Sequence, residues 1–250
     1  MSKRRNGWEK PFHALQIASW VCFLLLVALF YGVCIPNLVY VSLQASFGVV
    51  GGLLAAVTLG LDIKTASVDP EVAQVAEEGS VHNGNYCYIC RDNVPQGSLH
   101  CRECDKCIDR FDHHCLWLNT CVGKYNYRWF LGLLLATVAF LAVQCAGAGV
   151  ALYMAIAEMK PALYATGSAK DMASFVFLVI YSFLVLVAIA NVLHLFGFHV
   201  MLNYRGLTTY EYLVGESAPA KLAKPAKPAK PAKPAKDNTK EEPQAQVTTV

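Results

Sequence analysis

The chain has 250 residues, of which 55% are hydrophobic and only 16% are charged, and its formal net charge is +3. An average soluble domain has about 25% charged residues, so this composition argues against a soluble globular protein and predicts a membrane protein. The first apolar stretch is too long for a signal peptide and lacks a cleavage site of small residues, so we expect it to remain as a membrane helix.

Four stretches are nearly free of charge and long enough to cross a hydrocarbon core, which takes about 20 helical residues. They cover residues 14–35, 38–61, 130–157 and 172–200. Pro36 and Asn37 predict a tight turn between the first two stretches, and charged residues at 62–64 and 158–160 predict the ends of the second and third. The sequence therefore predicts an all-α integral membrane protein with four transmembrane helices.

Polar segments lie before, between and after two predicted pairs of helices. The predicted organisation, in chain order, is a cytosolic N-terminus (1–13), a first helix pair (14–61), a linker (62–86), a cysteine-rich domain (87–130), a second helix pair (131–202), a short cytosolic segment (203–216) and a disordered tail (217–250). Repeated Ala-Lys-Pro in the tail favours an extended chain without a core. In the fourth helix, His199 is expected at the membrane interface.

Basic residues predict the orientation of these helices. The first 13 residues hold four Lys or Arg, the segment from Asp62 to Arg128 holds seven, and the chain after Val200 holds eight, whereas the loops on the other side hold only two. The positive-inside rule therefore predicts that both termini and the cysteine-rich segment face the cytosol. In that reducing compartment, clustered cysteines are more often metal ligands or catalytic groups than disulfides.

The cysteine-rich segment contains seven of the ten cysteines, between Cys87 and Cys121. Its short Cys-x2-Cys steps are the spacing with which two thiolates hold a tetrahedral zinc ion. Two such sites need eight ligands, which six cysteines and two histidines would supply. If the remaining cysteine is Cys115, the unassigned residues stand together as Asp112-His113-x-Cys115, which are the components of an activated thiol nucleophile.

The full pattern, from Cys87-x2-Cys90 through Asp112-His113-His114-Cys115 to Asn126-x3-Phe130, resembles the cysteine-rich domain of DHHC-type protein S-acyltransferases, also called palmitoyltransferases. Thr208-Thr209-Tyr210-Glu211 resembles the TTxE motif of that family. The resemblance implies one structural zinc held by Cys87, Cys90, His100 and Cys107, and a second held by Cys101, Cys104, His114 and Cys121. It also implies that Cys115 is the nucleophile, His113 its general base and Asp112 the group that orients the imidazole, with Thr209 and Asn126 as structural support.

The activity implied by the resemblance is transfer of a long-chain acyl group, expected to be palmitoyl, from palmitoyl-CoA to cysteine thiols of proteins through an S-acyl-enzyme. The expected contacts to the acyl-CoA are Trp117, Lys124, Arg128 and Arg205 near the interface and Phe140 along the chain. The expected partners are proteins with cytosolic cysteines near the membrane, and membrane lipids; no nucleic acid is expected. The C-terminal Thr248-Thr249-Val250 resembles a PDZ-binding sequence.

The sequence also departs from the pattern of the family. Leu116 stands where proline usually follows the motif cysteine, and Gly97 stands where arginine is typical. These departures keep open an alternative from another class, in which the protein is a non-catalytic, zinc-stabilised membrane adaptor. For the enzyme we expect a multi-pass protein of the eukaryotic endomembrane system, with the Golgi or endoplasmic reticulum favoured, or of the plasma membrane.

Overall fold

The structure is a computed structural model that describes residues 3–72, 85–162 and 169–215. Of residues 158–162 and 169–171 it describes only the backbone. The predicted tail at 217–250, with its PDZ-like end, and residues 73–84 of the linker at 62–86 lie outside the described residues.

Within the part of the chain that the structure describes, four helices are long and apolar enough to cross a membrane, which confirms the predicted membrane architecture. They are α1 (Ala14–Leu29, continued by a π-helical turn at Phe30–Cys34 and a 3₁₀ turn at Ile35–Asn37), α2 (Val41–Ser67), α3 (Tyr127–Ala162) and α4 (Ala169–Arg205). The helix α2 continues beyond the charged residues at 62–64, and α4 continues beyond Val200. Both helices are longer than the apolar stretches that predicted them, because charge ends a hydrophobic stretch but does not interrupt helical hydrogen bonds.

The helix α3 is the centre of the bundle, packed between α2 and α4. The membrane core is a cluster of buried residues from the end of α1, from α3 and from α4, among them Phe30, Ala148 and Tyr181. Within it the Tyr181 hydroxyl donates a 2.8 Å hydrogen bond to Oε1 of Gln144. A buried polar pair of this kind fixes the register of α4 against α3.

The cysteine-rich segment adds three short antiparallel β-hairpins that the all-α prediction did not include. Their strands are β1 (Asn85–Cys87) with β2 (Asp92–Val94), β3 (Leu99–Cys101) with β4 (Lys106–Ile108), and β5 (His113–Cys115) with β6 (Thr120–Val122). Each strand has only three residues, which is too short for an alternating hydrophobic pattern to be recognised in the sequence.

These hairpins follow a 14-residue repeat. Cys87, Cys101 and Cys115 each end the first strand of a hairpin. Four residues after each of these cysteines, the backbone takes the left-handed conformation, at Arg91 (φ 57°), Asp105 (φ 52°) and Asn119 (φ 55°). Cys115 therefore occupies the place in its hairpin that Cys87 and Cys101 occupy in theirs.

The N-terminal segment, for which the sequence predicted only a cytosolic location, is bound between α2 and the third hairpin. The Gly7 amide donates to the Ala66 carbonyl at 2.9 Å, at the end of α2. The side-chain amide of Asn119, in the turn of the third hairpin, donates to the carbonyls of Gly7, Glu9 and Pro11 at 3.4, 3.4 and 3.2 Å. The segment therefore ties the cysteine-rich domain to the membrane helices.

This contact predicts that Gly7→Val destabilises the protein. A Cβ at Gly7 would lie 2.1 Å from the Leu118 carbonyl oxygen, in the turn of the third hairpin, so the segment would have to move away. Overpacking of this kind costs about 1–3 kcal/mol, and we expect a lower Tm in detergent-solubilised protein. Gly60→Val in α2 is the matched control, because no atom of the described residues lies within 4 Å of its added Cβ. Equal Tm values for the two variants would contradict the packing described here.

Candidate active site and metal centres

The first group of metal-binding side chains joins two hairpins. Cys87 and Cys90 come from the end and turn of the first hairpin, and His100 and Cys107 are cross-strand partners in the second. Sγ of Cys90 lies 3.3 Å from Nδ1 of His100 and 3.5 Å from Sγ of Cys107. The remaining nitrogen of His100, Nε2, lies 3.6 Å from a carboxylate oxygen of Asp105. A carboxylate behind a ligating imidazole orients the ring.

The second group repeats this arrangement one hairpin further along. Cys101 and Cys104 come from the end and turn of the second hairpin, and His114 and Cys121 are cross-strand partners in the third. Nδ1 of His114 lies 3.7 Å from Sγ of Cys101, 3.4 Å from Sγ of Cys104 and 3.5 Å from Sγ of Cys121. In each group, four potential ligand atoms lie within 4.8 Å of one another.

The donor sets fit zinc. Three thiolates and one imidazole are a common structural zinc site, and bonds of about 2.3 Å to sulfur and about 2.0 Å to nitrogen in a tetrahedron separate the ligand atoms by about 3.5–3.8 Å. The distances in the two groups run from 3.3 Å (Cys90 to His100) to 3.7 Å (Cys101 to His114) among those given above. The structure therefore brings together the eight residues of the two expected ligand sets and leaves Cys115 outside both.

Residues 112–115 place the expected catalytic groups on the opposite face of β5 from the metal ligand. Successive side chains of a strand point to opposite faces, so His113 and Cys115 share one face and His114 takes the other. Asp112 is 2% exposed, and its Oδ2 lies 2.6 Å from Nδ1 of His113. This bond leaves Nε2 of His113 as the ring nitrogen that is free to exchange a proton.

The TTxE-like segment supports Asp112 from the helix α5 (Thr209–Val214). Thr209 donates twice to the carboxylate of Asp112, from its hydroxyl at 2.7 Å and from its backbone amide at 2.9 Å. Thr208 and Glu211 form a capping box: the Glu211 amide donates to the Thr208 hydroxyl at 3.1 Å, and the Thr208 amide donates to the Glu211 carboxylate at 2.8 Å. Thr208 and Glu211 thus cap the start of α5, and Thr209 holds the carboxylate of Asp112.

The Asp112–His113 pair stabilises its charged form. Burial raises the pKa of Asp112, but hydrogen bonds from His113 and Thr209 outweigh it and hold that pKa below its usual value. Burial lowers the pKa of His113, but Asp112 and the neighbouring Cys115 outweigh it and raise that pKa to about 9. Asp112 therefore stabilises the imidazolium that forms when His113 takes up a proton from a neighbouring thiol.

Cys115 itself is 7% exposed and belongs to an apolar cluster at the junction of the third hairpin with the membrane helices. Its neighbours in this cluster include Leu118, Val122 and Phe130. Asn126, which is fully buried, joins the last hairpin to α3: its Oδ1 accepts from the Gly123 amide at 2.9 Å, and its side-chain amide donates to the Cys121 carbonyl at 2.8 Å. The thiol therefore lies where the cysteine-rich domain meets apolar helix surface.

The residues expected to contact acyl-CoA occupy separate environments. Trp117 is 52% exposed, and Phe140 is 2% exposed with its ring 5.6 Å from that of Phe23. Arg128 stacks over the Trp129 ring at 4.7 Å, and Arg205 is exposed at the end of α4. Lys124 pairs with Asp109 at 2.7 Å.

Lys124 also lines a cavity of about 440 Å³ between the cysteine-rich domain and the TTxE-like segment. Gly97 lines the same cavity and has a φ of 82°. This backbone conformation favours glycine over the arginine that is typical at this position of the family pattern.

Sequence reasoning missed the surroundings of His113. The side chain of His199 is 2% exposed, and its ring centroid lies 5.9 Å from that of His113, a neighbour that the sequence did not predict. Tyr127 and Asn203 are hydrogen bonded beside it. The signal available in the sequence was an ionisable residue inside an apolar helix, which by itself does not identify its neighbours.

A sequence model described as DHHC palmitoyltransferase matches residues 80–216, which is more than half of the chain. The chain belongs to this family. The match covers both ligand groups, the Asp112-His113-His114-Cys115 sequence and the TTxE-like segment, and it confirms the family that the sequence pattern indicated.

Curated relatives extend the match across kingdoms. The chain is 34% identical over 150 residues to probable protein S-acyltransferase 20 of Arabidopsis thaliana, covering 57% of this chain and 21% of that protein. It is 35% identical over 146 residues to palmitoyltransferase ZDHHC18 of Mus musculus, covering 58% and 37%, and 38% identical over 128 residues to palmitoyltransferase erf2 of Emericella nidulans, covering 51% and 20%. The chain thus spans less than two fifths of the length of these relatives.

Proposed function

We propose that this membrane protein transfers a long-chain fatty acyl group, palmitoyl first among them, from acyl-CoA to cysteine thiols of proteins. The proposal rests on the hydrogen bond of 2.6 Å between Asp112 and His113, which lies on the same strand as Cys115. Of the seven cysteines in this segment, Cys115 is the one that stands outside both ligand groups. Membership of the palmitoyltransferase family and the names of the relatives agree with it.

The proposed reaction has two thiol-exchange steps. In the first, Nε2 of His113 accepts the Cys115 proton and the thiolate attacks the acyl carbonyl carbon of acyl-CoA; a carbon–sulfur bond forms to Cys115, and the coenzyme A thiolate leaves and takes up a proton. In the second, the thiolate of a protein substrate attacks the acyl-enzyme and releases Cys115. Each step exchanges one thioester for another, so the energies nearly balance and neither nucleotide nor redox cofactor is needed.

Zinc has a structural role in this proposal. Four protein ligands in each group leave no open position for water or substrate, so bound zinc supplies folding free energy and no catalytic group. The eight ligands hold the three hairpins together in a domain with few apolar residues. The third hairpin, which carries Cys115 and His113, is fixed to the second by the ligands His114 and Cys121.

The proposed site faces the cytosol at the membrane surface. Coenzyme A would remain in water near Trp117, Lys124, Arg128 and Arg205, while the acyl chain enters the bundle through the apolar cluster around Cys115. A 16-carbon chain is roughly 20 Å long, which matches the rise of about 13 helical residues. Counted from Phe130, that depth reaches the region of Phe140 to Val143, and we propose that the buried ring of Phe140 helps to limit the length of the acyl chain.

The proposed protein substrates are those with cytosolic cysteines close to the membrane, in the endomembrane system or at the plasma membrane. The experiment that tests the function is incubation of purified, zinc-loaded full-length protein with labelled palmitoyl-CoA. We expect label on the peptide that contains Cys115, removed by neutral hydroxylamine because it is a thioester. A folded protein with two zinc ions that takes up no label would favour the alternative, a zinc-stabilised adaptor.

Thr209→Val tests the support of Asp112. The substitution keeps the shape of the side chain and the backbone hydrogen bond but removes the hydroxyl that donates to Oδ2 of Asp112. A hydrogen bond to a charged group contributes about 1.5–3 kcal/mol, so we expect acylation of Cys115 to slow by about 10- to 100-fold with zinc retained. Thr58→Val removes a buried hydroxyl from α2 and serves as the control. Equal acylation rates in the two variants would show that the Thr209 hydroxyl does not support Asp112 in the reaction.

A further inference from the structure

The ring of His113 is enclosed by two other rings from the membrane helices. Phe130, in the first turn of α3, meets it edge to face with centroids 5.4 Å apart, and His199, in α4, lies at 5.9 Å. Phe130 and His199 meet each other at 4.9 Å, also edge to face. Phe130 is 3% exposed and His199 2%, so the three rings form a closed triangle beside Asp112.

His199 is held in one tautomer by a chain of hydrogen bonds. The side-chain amide of Asn203 donates to the hydroxyl oxygen of Tyr127 at 3.1 Å and to the backbone carbonyl of His199 at 3.0 Å. The Tyr127 hydroxyl, whose oxygen already accepts from Asn203, has its own proton available for Nδ1 of His199 at 3.2 Å. Nδ1 of His199 is then an acceptor, and the ring proton is on Nε2.

A third metal site is not the best explanation of this proximity. A nitrogen of His199, a nitrogen of His113 and a carboxylate oxygen of Asp112 lie within 4.8 Å of one another. However, Asp112 already accepts from Thr209 twice and from His113, and Tyr127 already occupies Nδ1 of His199. The groups satisfy one another, so the arrangement is a hydrogen-bonded support for His113.

We infer that His199 is a positioning residue for His113, fixed in turn by the Tyr127 hydroxyl. Asp112 holds the imidazole at Nδ1, but one hydrogen bond leaves the ring free to swing about it. The rings of Phe130 and His199, packed against the imidazole, prevent this rotation and direct Nε2 of His113 toward Cys115. The inference deepens the proposed acyl transfer and rests on it for its biological purpose, although its effect on the Cys115 thiol can be measured without an acyl donor.

The test measures two rates on full-length, zinc-loaded protein. One is alkylation of Cys115 by iodoacetamide, followed by mass spectrometry of its peptide; the other is acylation from labelled palmitoyl-CoA. His199→Leu removes the nitrogen that accepts from the Tyr127 hydroxyl, and Tyr127→Phe removes that hydroxyl. His199→Asn keeps an acceptor near the position of Nδ1. His194→Leu and Tyr204→Phe are matched controls, since both residues are exposed on α4.

We expect His199→Leu and Tyr127→Phe to slow both rates by about 10- to 100-fold, since a misplacement of about 1 Å can cost about 100-fold. His199→Asn should restore most of the rate, and zinc content should stay at two per chain in every variant. Alkylation at the wild-type rate in His199→Leu, an asparagine variant as slow as the leucine variant, or loss of zinc along with the rate would each overturn the inference. If alkylation depends on His199 while the wild type takes no acyl label, the positioning role stands and the acyltransferase proposal fails.

Discussion

Replacement of Cys115 by serine is expected to abolish the hydroxylamine-sensitive label from palmitoyl-CoA while zinc content and Tm stay close to those of the wild type. Serine keeps the size of the side chain, but its hydroxyl is a far weaker nucleophile than a thiolate at neutral pH. Any residual acyl group on the serine would be an oxygen ester, which resists neutral hydroxylamine. Retained zinc follows from the position of Cys115 outside both ligand groups.

Cys34→Ala is the control for removal of a buried cysteine elsewhere. Cys34 is fully buried in the membrane core near Phe30. Its replacement by alanine should loosen the packing there without changing the acyl label on Cys115. Hydroxylamine-sensitive label that persists on Cys115→Ser would move the nucleophile to another cysteine. Loss of zinc from Cys115→Ser would show that Cys115 is a metal ligand. The assignment of eight other residues to two zinc sites would then be wrong, and with it the proposed chemistry.

The membrane helices and the family could be predicted because their signals are local in the sequence. Charge-free stretches of about 20 residues and closely spaced cysteines need no tertiary information. The helix ends at Ser67 and Arg205 were missed because polar residues can continue a helix once it leaves the membrane. The support of Asp112 by Thr209 was implied by the family resemblance, and Thr208 with Glu211 is a capping-box spacing that can be recognised in a sequence.

What could not be predicted depends on contacts between distant segments. Asn119 binds the N-terminal segment more than 100 residues away in the chain, and His199 reaches Tyr127 at a separation of 72 residues. Neither contact leaves a periodic or spacing signal. The 14-residue repeat of the hairpins, by contrast, was present in the sequence as the recurrence of His-Cys at 100–101 and 114–115.

That repeat explains why Cys115 is free. In the second hairpin, Cys101 is followed three residues later by Cys104, and the two join the cross-strand pair His114 and Cys121 of the next hairpin in one group that could hold zinc. In the third hairpin, Leu118 stands at the corresponding position after Cys115, and α3 follows in place of another hairpin. Cys115 thus has the backbone position of Cys101 without a cysteine three residues later, which agrees with its place outside both ligand groups.

Two buried cysteines of neighbouring hairpins are expected to give opposite outcomes, and Cys104→Ala is the second half of the test. Cys104 is fully buried, with Sγ 3.5 Å from that of Cys121 and 3.4 Å from Nδ1 of His114. Its removal should lower bound zinc from two to about one per chain. Structural zinc contributes on the order of 10 kcal/mol in small zinc domains, so the third hairpin, which this group joins to the second, should lose its fold with the metal.

Loss of acyl label in Cys104→Ala should therefore follow loss of fold, whereas in Cys115→Ser it should occur in a folded, zinc-loaded protein. Metal analysis after gel filtration and Tm measured on the same samples separate the two cases. If Cys104→Ala kept two zinc ions and an unchanged Tm, the assignment of Cys101, Cys104, His114 and Cys121 to one site would be wrong. The two cysteines lie in neighbouring hairpins of the same repeat, so opposite zinc contents in the two variants would distinguish a metal ligand from the proposed nucleophile.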